Sequence, residues 1–380
     1  MDIAGSILLI ILSTVIIAKV CDGFETAADY LGRKLSNGVK GATINAVGSS
    51  MPELFATMVF LFLFADTTGF AGGVGTTAGS AVFNTMVIPA LSIFAAIKIF
   101  KISSVNVSRK VLVRDGLALI LAEFLLIVLL GDHLTWVHGA ILMGFYLLYV
   151  TYMLKTMDAS EEDDGEDDDE DDQGEIGSRF FSFFKLDLED AFVGNNDLNS
   201  ANAWVLLIVS TCFIALGCWV LVHGCESFGA AMGIEGYFVA VILAAAASSI
   251  PDTILSVKDA KKGNYDDAVS NALGSNIFDI CFALGFPLML FCLIYGPINV
   301  DSSTLSDISE LRVLLLVLTA ASFLVFVFGN GMGKAKAWLL IIIYSLFTAY
   351  VIGSAYDMTW VIPTKEFILM LNSHIPTITL

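Results

Sequence analysis

Charge is scarce in this chain. Only 15% of its 380 residues are Asp, Glu, Lys or Arg, where soluble globular proteins carry about 25%. With 57% hydrophobic residues and a mean hydropathy of +0.80, the composition excludes an ordinary soluble domain. Cysteine is sparse and unpatterned: Cys21, Cys212, Cys218, Cys225, Cys281 and Cys292 form no CxxC pair and mostly lie in or beside apolar stretches. They read as small core residues, with no disulfide framework. The four histidines (His133, His138, His223, His374) show no zinc spacing. No HExxH, GxSxG or Gly-Lys-Ser phosphate loop occurs, so a membrane enzyme would lack its catalytic constellation. The N-terminus has Asp2 where a signal peptide has a basic region, and no small-residue cleavage site follows. It is expected to be a retained first span.

What is present is acid and long apolar runs. Much of the formal charge of −19 sits at residues 158–175, which read DASEEDDGEDDDEDDQGE. Such a run buries no apolar area and is expected to be a disordered tether. It lacks EF-hand spacing, so a calcium-sensor role is the weaker reading. The remaining charge is near balance, which leaves no nucleic-acid footprint. The aromatic segment at 179–185 suits a membrane interface. Apolar runs of roughly 20 residues, the length of a span, fall near 3–21, 41–64, 77–99, 111–131, 134–154, 201–223, 236–257, 267–295, 311–329 and 336–353. The predicted fold is therefore an all-α membrane protein of about ten transmembrane helices. Residues 1–154 form a first five-span half, 155–200 the acidic linker, 201–353 a second half, and 354–380 a tail.

Under this count nearly every Lys and Arg falls on one side of the membrane. Only Arg312 and Lys365 fall on the other. The positive-inside rule then places the linker in the cytoplasm, and both termini, with the tail, outside. Five spans per half would make the halves an inverted repeat, a common transporter architecture. The halves are related: AVGSSMPELFAT at 46–57 matches AAASSIPDTILS at 245–256, and VGTTAGSAVFN at 74–84 matches VSNALGSNIFD at 269–279. Two blocks recurring in the same order, in corresponding spans, define repeats at about 41–90 and 244–287.

Glu53, Asp252 and Asp279 each fall within an otherwise apolar span, where an acid costs about 2.5–3.5 kcal/mol and usually faces a cavity or a partner. No basic residue lies near them in these spans. A bound cation would offset the cost. Ser50 and Glu53, like Ser249 and Asp252, are three residues apart and share a helix face. Pro52 and Pro251 have no N–H to donate and disturb the preceding turn, which frees carbonyls near Gly48–Ser49 and Ala247–Ser248. Ser80 and Ser275, with Asn84 and Asp279 a turn further on, are candidates to complete the site. Gly79 and Gly274 beside them would let helices approach closely. Glu123 has no repeat counterpart; packing or helix contact is at least as good a reading for it as ion handling, and it stays outside the candidate site.

At these two blocks the sequence resembles the cation/calcium exchanger superfamily, whose hallmark is a pair of inverted repeats. In residues 40–55 (KGATINAVGSSMPELF), the second repeat at 248–280 and the stretch VRDGLALILAEFL, it is most similar to the potassium-dependent sodium/calcium exchangers. The resemblance implies calcium and sodium as alternating cargo at Glu53 and Asp252. Ser49, Ser50, Ser248, Ser249 and the carbonyls of Ala46 and Ala245 would add oxygens, with Asn84 and Asp279 flanking. An aspartate at the position of Asp279 is associated in that group with potassium dependence. Ser replaces the group's common Thr before each Pro, and Asp252 shortens one ligand arm, which leaves the ion set open. The expectation is a secondary antiporter of the cell membrane that exchanges sodium for calcium by alternating access, potassium being a candidate third ion. It would have no prosthetic group, and no partner beyond lipid and cargo ions is evident. The rivals are a calcium/proton exchanger of the same fold and a cation channel.

Overall fold

The computed structural model describes residues 1–31, 46–64, 67–156, 186–192, 198–329, 331–375 and 378. The acidic run at 158–175, the aromatic segment at 179–185 and residues 40–44 lie outside the described residues.

Ten helical runs correspond to the ten predicted spans. The first half contains α1 (Ile3–Leu31), α2 (Ala46–Ser49 then Met51–Phe64), α3 (Thr67–Phe100), α4 (Arg109–Leu129) and α5 (Trp136–Thr156). The second half contains α6 (Ser200–Met232) and α7, which runs through Gly236–Val239, a π-helical turn Ala240–Ala244, Ala245–Ser248 and Ile250–Lys262. After it come α8 (Tyr265–Phe278, a π-helical turn Asp279–Ala283, then Gly285–Tyr295), α9 (Ser302–Val327) and α10 (Lys334–Ala355). Among the described residues, seven helices are long and apolar enough to cross a membrane alone, and α7 joins them as a pair bent by 42°. The other two differ for visible reasons. The main part of α2 has only 14 residues, and α4 carries Arg109, Lys110, Arg114, Asp115 and Glu123. The segment after α10, expected only as a tail, forms a further helix, α11 (Ile362–Ser373).

Two short strand pairs show the inverted symmetry. Ser104–Val105, between α3 and α4, pairs antiparallel with Met332–Gly333, between α9 and α10. His133–Leu134, between α4 and α5, pairs with Ile298–Asn299, between α8 and α9. Exchanging the halves converts one pair into the other, and alternation of the spans puts them on opposite membrane faces. Polar ties between helix ends respect the same alternation. Thr67 Oγ1 donates to Asp301 Oδ2 at 3.1 Å on one face, and Ser108 N donates to Asp266 Oδ1 at 2.6 Å on the other.

Most of the buried apolar residues fall into two layers. The larger apolar cluster draws on α2–α5 and α7–α10 and contains nothing from α1 or α6. The second cluster joins α1 and α6 antiparallel, through Ile10, Ile17, Val20, Leu206, Ile214 and Leu221, to one side of α2 and α7. At roughly 1.5 Å per residue, the 29 and 33 residues of α1 and α6 exceed a hydrocarbon core of about 30 Å, so they are long enough to lie strongly tilted.

The crossing of α3 with α7 is the tightest contact near the centre. A methyl group at Gly79 would overlap the Val241 carbonyl and the Ala245 side chain. Gly274, expected to play the equivalent role, would meet nothing within 4 Å, so close approach is a property of one repeat only. Gly79→Ala should therefore overpack the crossing, at a cost typical of such insertions, about 1–3 kcal/mol. The measurement is thermal unfolding in detergent: Gly79→Ala should melt below the wild type, while Gly144→Ala, where a methyl also meets nothing within 4 Å, should not.

Candidate cation site

The two Ser-Ser-x-Pro-acid blocks break their helices at equivalent positions. In α2 the break falls at Ser50 and in α7 at Ser249, two residues before Pro52 and Pro251. With no N–H on either proline, the carbonyls of Gly48 and Ala247 lose their i+4 donors, as the sequence suggested. Helical geometry resumes at once: Leu54 N donates to Ser50 O at 3.4 Å, and Thr253 N to Ser249 O at 3.1 Å. The acids at Glu53 and Asp252 thus sit in the first turn after each break.

The predicted side chains converge between α2, α3, α7 and α8. Ser49, Ser50, Glu53, Ser80, Asn84, Ser248, Ser249, Asp252, Ser275 and Asp279 are all fully buried. Ser80 Oγ lies 3.2 Å from Glu53 Oε1, 2.9 Å from Asp279 Oδ2 and 2.8 Å from Ser249 Oγ. Ser249 Oγ donates to the same Glu53 Oε1 at 3.1 Å. On the other side, Asp252 Oδ1 accepts from Ser275 Oγ at 2.7 Å and Asp252 Oδ2 from Asn84 Nδ2 at 3.3 Å. Ser49 lies against Asp252 and Ser248 against Glu53, a pair of contacts that the inverted symmetry interchanges. Ser50 neighbours Asp279. Of the two expected backbone oxygens, Ala245 O already accepts from Ser249 N and Ser248 Oγ, each at 3.2 Å, while Ala46 opens the first helical turn of α2.

The donor count decides the electrostatics. A serine hydroxyl has one proton, so Ser80 cannot donate to Glu53 and Asp279 together. Glu53 Oε2, Asp279 Oδ1 and Asn84 Oδ1 are buried with no hydrogen-bond partner. Among the described residues, no Lys, Arg or His forms an ion pair with Glu53, Asp252 or Asp279. No three Asp, Glu, His or Cys side chains among the described residues are gathered closely enough to hold a metal by themselves. The oxygen set is mixed: carboxylates, hydroxyls, one amide and loosened carbonyls. That is the chemistry of hard cations such as sodium and calcium, not of zinc.

Sequence reasoning missed the residue that fastens the centre. Asn276, fully buried on α8, donates to Ala81 O at 3.0 Å and Thr85 Oγ1 at 2.7 Å on α3. Its place directly after Ser275 in the repeat was the available signal. Glu123 lies apart and accepts from Thr319 Oγ1 at 2.6 Å. A second buried carboxylate, Asp115, is held by Arg114, Ser270 and Tyr149.

The fold is that of an inverted-repeat membrane protein, and the comparisons give its family. Residues 5–155 and 202–353 match the family described as sodium/calcium exchanger protein; the chain belongs to that family. It is 38% identical over 120 residues to sodium/potassium/calcium exchanger 1 of Bos taurus, a match spanning 31% of this chain but only 10% of that protein. An uncharacterized membrane protein of Methanocaldococcus jannaschii is 24% identical over 268 residues, covering 69% of this chain and 74% of its own. A solved sodium-calcium exchanger superposes with a TM-score of 0.56 at 21% identity, covering 91% of this chain and 98% of that one. An H+/Ca2+ exchanger gives 0.59 at 13% identity, covering 96% and 92%. These likenesses show the shared fold of an integral, multi-pass membrane protein.

Asn276→Leu removes both bonds; Thr85 Oγ1 still donates to Ala81 O at 2.7 Å, so the loss is that of the two bonds themselves, about 0.5–1.5 kcal/mol each. It should lower the melting temperature in detergent. Glu123→Gln, which can still accept from Thr319, should leave cation transport near the wild-type level in proteoliposomes.

Proposed function

We propose that this protein is a secondary antiporter that exchanges sodium for calcium, with Glu53 and Asp252 as the shared carboxylates. The observation that carries this reading is the convergence of three buried acids from α2, α7 and α8 without a basic partner. The mixed set of hydroxyl, amide and carbonyl oxygens around them supports it. In this reading Ser49, Ser50, Ser248, Ser249, Ser80 and Ser275 supply oxygens to the cargo ion. Asn84, the carbonyls of Ala46 and Ala245, and Asp279 complete the set. Sodium and calcium compete for one cluster, so one leaves as the other enters.

The α1–α6 layer, packed separately from the main core, is the element that would shift to open the site to one face or the other. The expected setting is the cell membrane, with the N-terminus outside and the acidic linker cytoplasmic. Residues 1–154 and 201–353 act as two half-transporters, joined by 155–200. Several relatives carry potassium in their names, and Asp279 is the carboxylate that the opposite half lacks. Potassium co-transport at Asp279 is the finer form of the proposal.

The test is calcium uptake into sodium-loaded proteoliposomes after external sodium is removed, with and without potassium on the calcium side. Uptake that needs both the sodium gradient and potassium supports the finer form, and Asp279→Asn should then abolish the potassium requirement. Uptake with sodium alone keeps the exchanger and removes potassium. Uptake driven only by a pH gradient would replace sodium with protons. Glu53→Gln and Asp252→Asn should each abolish calcium uptake while the purified protein stays folded. Exchange retained in either variant would overturn the assignment of the site.

A further inference from the structure

A second acidic cluster lies on the face where α7 and α9 begin and α10 ends. Asp307 and Glu310 of α9 line a cavity of about 20 Å³ together with Tyr237, Val241, Tyr350 and Ser354. That volume admits a single water-sized species. The same two carboxylates already hold one cationic group: Lys365 Nζ of α11 lies 3.0 Å from Asp307 Oδ1 and 3.2 Å from Glu310 Oε2. Burial works against the Lys365 charge, but Glu310 and Asp307 outweigh it and hold the ammonium above its ordinary pKa. Two carboxylates against one ammonium still leave a net negative cluster. The Tyr350 hydroxyl, in a residue only 8% exposed, faces the cavity and makes no hydrogen bond.

Two further observations give the cluster a direction and a cover. Val241 lines the cavity and crosses α3 at Gly79, the neighbour of Ser80, so the cavity lies above the helix crossing that bounds the central acids. The cover is α11. It packs Val361 and Ile368 against Ile127, Val313 and Tyr350, and Arg312 Nη2 donates to its Asn372 Oδ1 at 3.4 Å. The match to the family ends at residue 353, before α11.

We propose that the Asp307–Glu310 cavity is an entry site for the transported cation, and that Lys365 is its tethered competitor, so that α11 sets the apparent affinity of the exchanger from this face alone. The proposal rests on the exchange reading in that the arriving cation is the cargo. A cation reaching this face displaces the ammonium from the two carboxylates before it passes the α3–α7 crossing. Lys365 thus acts as a specificity and affinity device without touching the central site.

The experiment uses the full chain in proteoliposomes of defined orientation, with calcium kinetics measured from each face. Lys365→Ala should lower the apparent KM for calcium about fivefold from the α11 face, the factor that corresponds to ~1 kcal/mol for an ion pair of this exposure. It should leave the KM at the opposite face unchanged, and Lys365→Arg should behave as wild type. In parallel, tryptic cleavage after Lys365 is followed in detergent. Calcium or sodium should accelerate it beyond choline chloride of equal ionic strength. An unchanged KM in Lys365→Ala, or one that shifts equally at both faces, would make the ion pair a simple helix tie and overturn the proposal. Cleavage that responds to no cation would overturn it as well. Wild-type protein that fails to exchange, yet still shows cation-dependent cleavage, would remove the exchange reading and leave the entry site standing.

Discussion

Three carboxylates buried in a membrane-spanning bundle, with no ion-paired basic residue among those described, impose the constraint on which the rest of the structure depends. Each acid at such depth costs about 2.5–3.5 kcal/mol, and the helices supply only hydroxyls and one amide in return. Bringing those donors within reach requires four helices to meet at one point. The breaks at Ser50 and Ser249 tilt the acids into that point, and Gly79 lets α7 come close enough to α3 for Ser249 to reach Ser80 at 2.8 Å. The donors still fall short of the acceptors. A site short of protons and rich in buried oxygens is stabilised by a cation more than by any rearrangement of its own side chains.

The two repeats are not equivalent, and the difference falls where the chemistry is. Asn84 gives Asp252 an N–H, so both oxygens of that carboxylate are engaged. Its counterpart, Asp279, has no amide to offer, and Glu53 Oε2 and Asp279 Oδ1 are the oxygens left over. Replacing an amide by an acid therefore moves the demand for positive charge to the Glu53–Asp279 side. Asn84 against Asp279 and Glu53 against Asp252 make the site lopsided, and in the exchange reading such a site treats two cargo ions differently without two separate binding pockets.

Most of this was legible in the sequence because membrane burial makes polar residues informative. A Ser-Ser-x-Pro-acid block in an apolar run has few structural uses, and its recurrence pointed to the symmetry and to the residues that the structure brings together. The strand pairs, the π-helical turns and α11 were not legible. Two-residue strands carry no periodic signal, a π turn differs from an α turn by one hydrogen-bond register, and α11 has only 12 residues. Asn276 was hidden for another reason: its role depends on which α3 atoms lie opposite, a tertiary fact. Gly274 shows the converse error, since a repeat can keep a small residue where only its partner, Gly79, meets a crossing helix.

The layering gives the exchange reading a mechanical basis. Helices α2 and α7 belong to both apolar clusters: Leu54, Leu61, Tyr237 and Val241 pack into the main core, while Ala56, Phe60, Ala240 and Ala244 pack against α1 and α6. The acids Glu53 and Asp252 are carried by these same two helices, just after their breaks. A shift of the α1–α6 layer is therefore felt first at the helices that carry Glu53 and Asp252, and Cys218 of α6 already touches the Pro52 carbonyl at 3.3 Å. A cargo ion can favour one position of that layer only through unequal contacts in the two positions, and broken helices are where such inequality is easiest to build. A continuous α2 or α7 would transmit the shift as a rigid body and leave the oxygens around Glu53 and Asp252 unchanged. Leu54, Leu61, Ala56 and Phe60 follow the break in α2, and Tyr237, Val241, Ala240 and Ala244 precede it in α7, so each break lets the rest of its helix move relative to that segment.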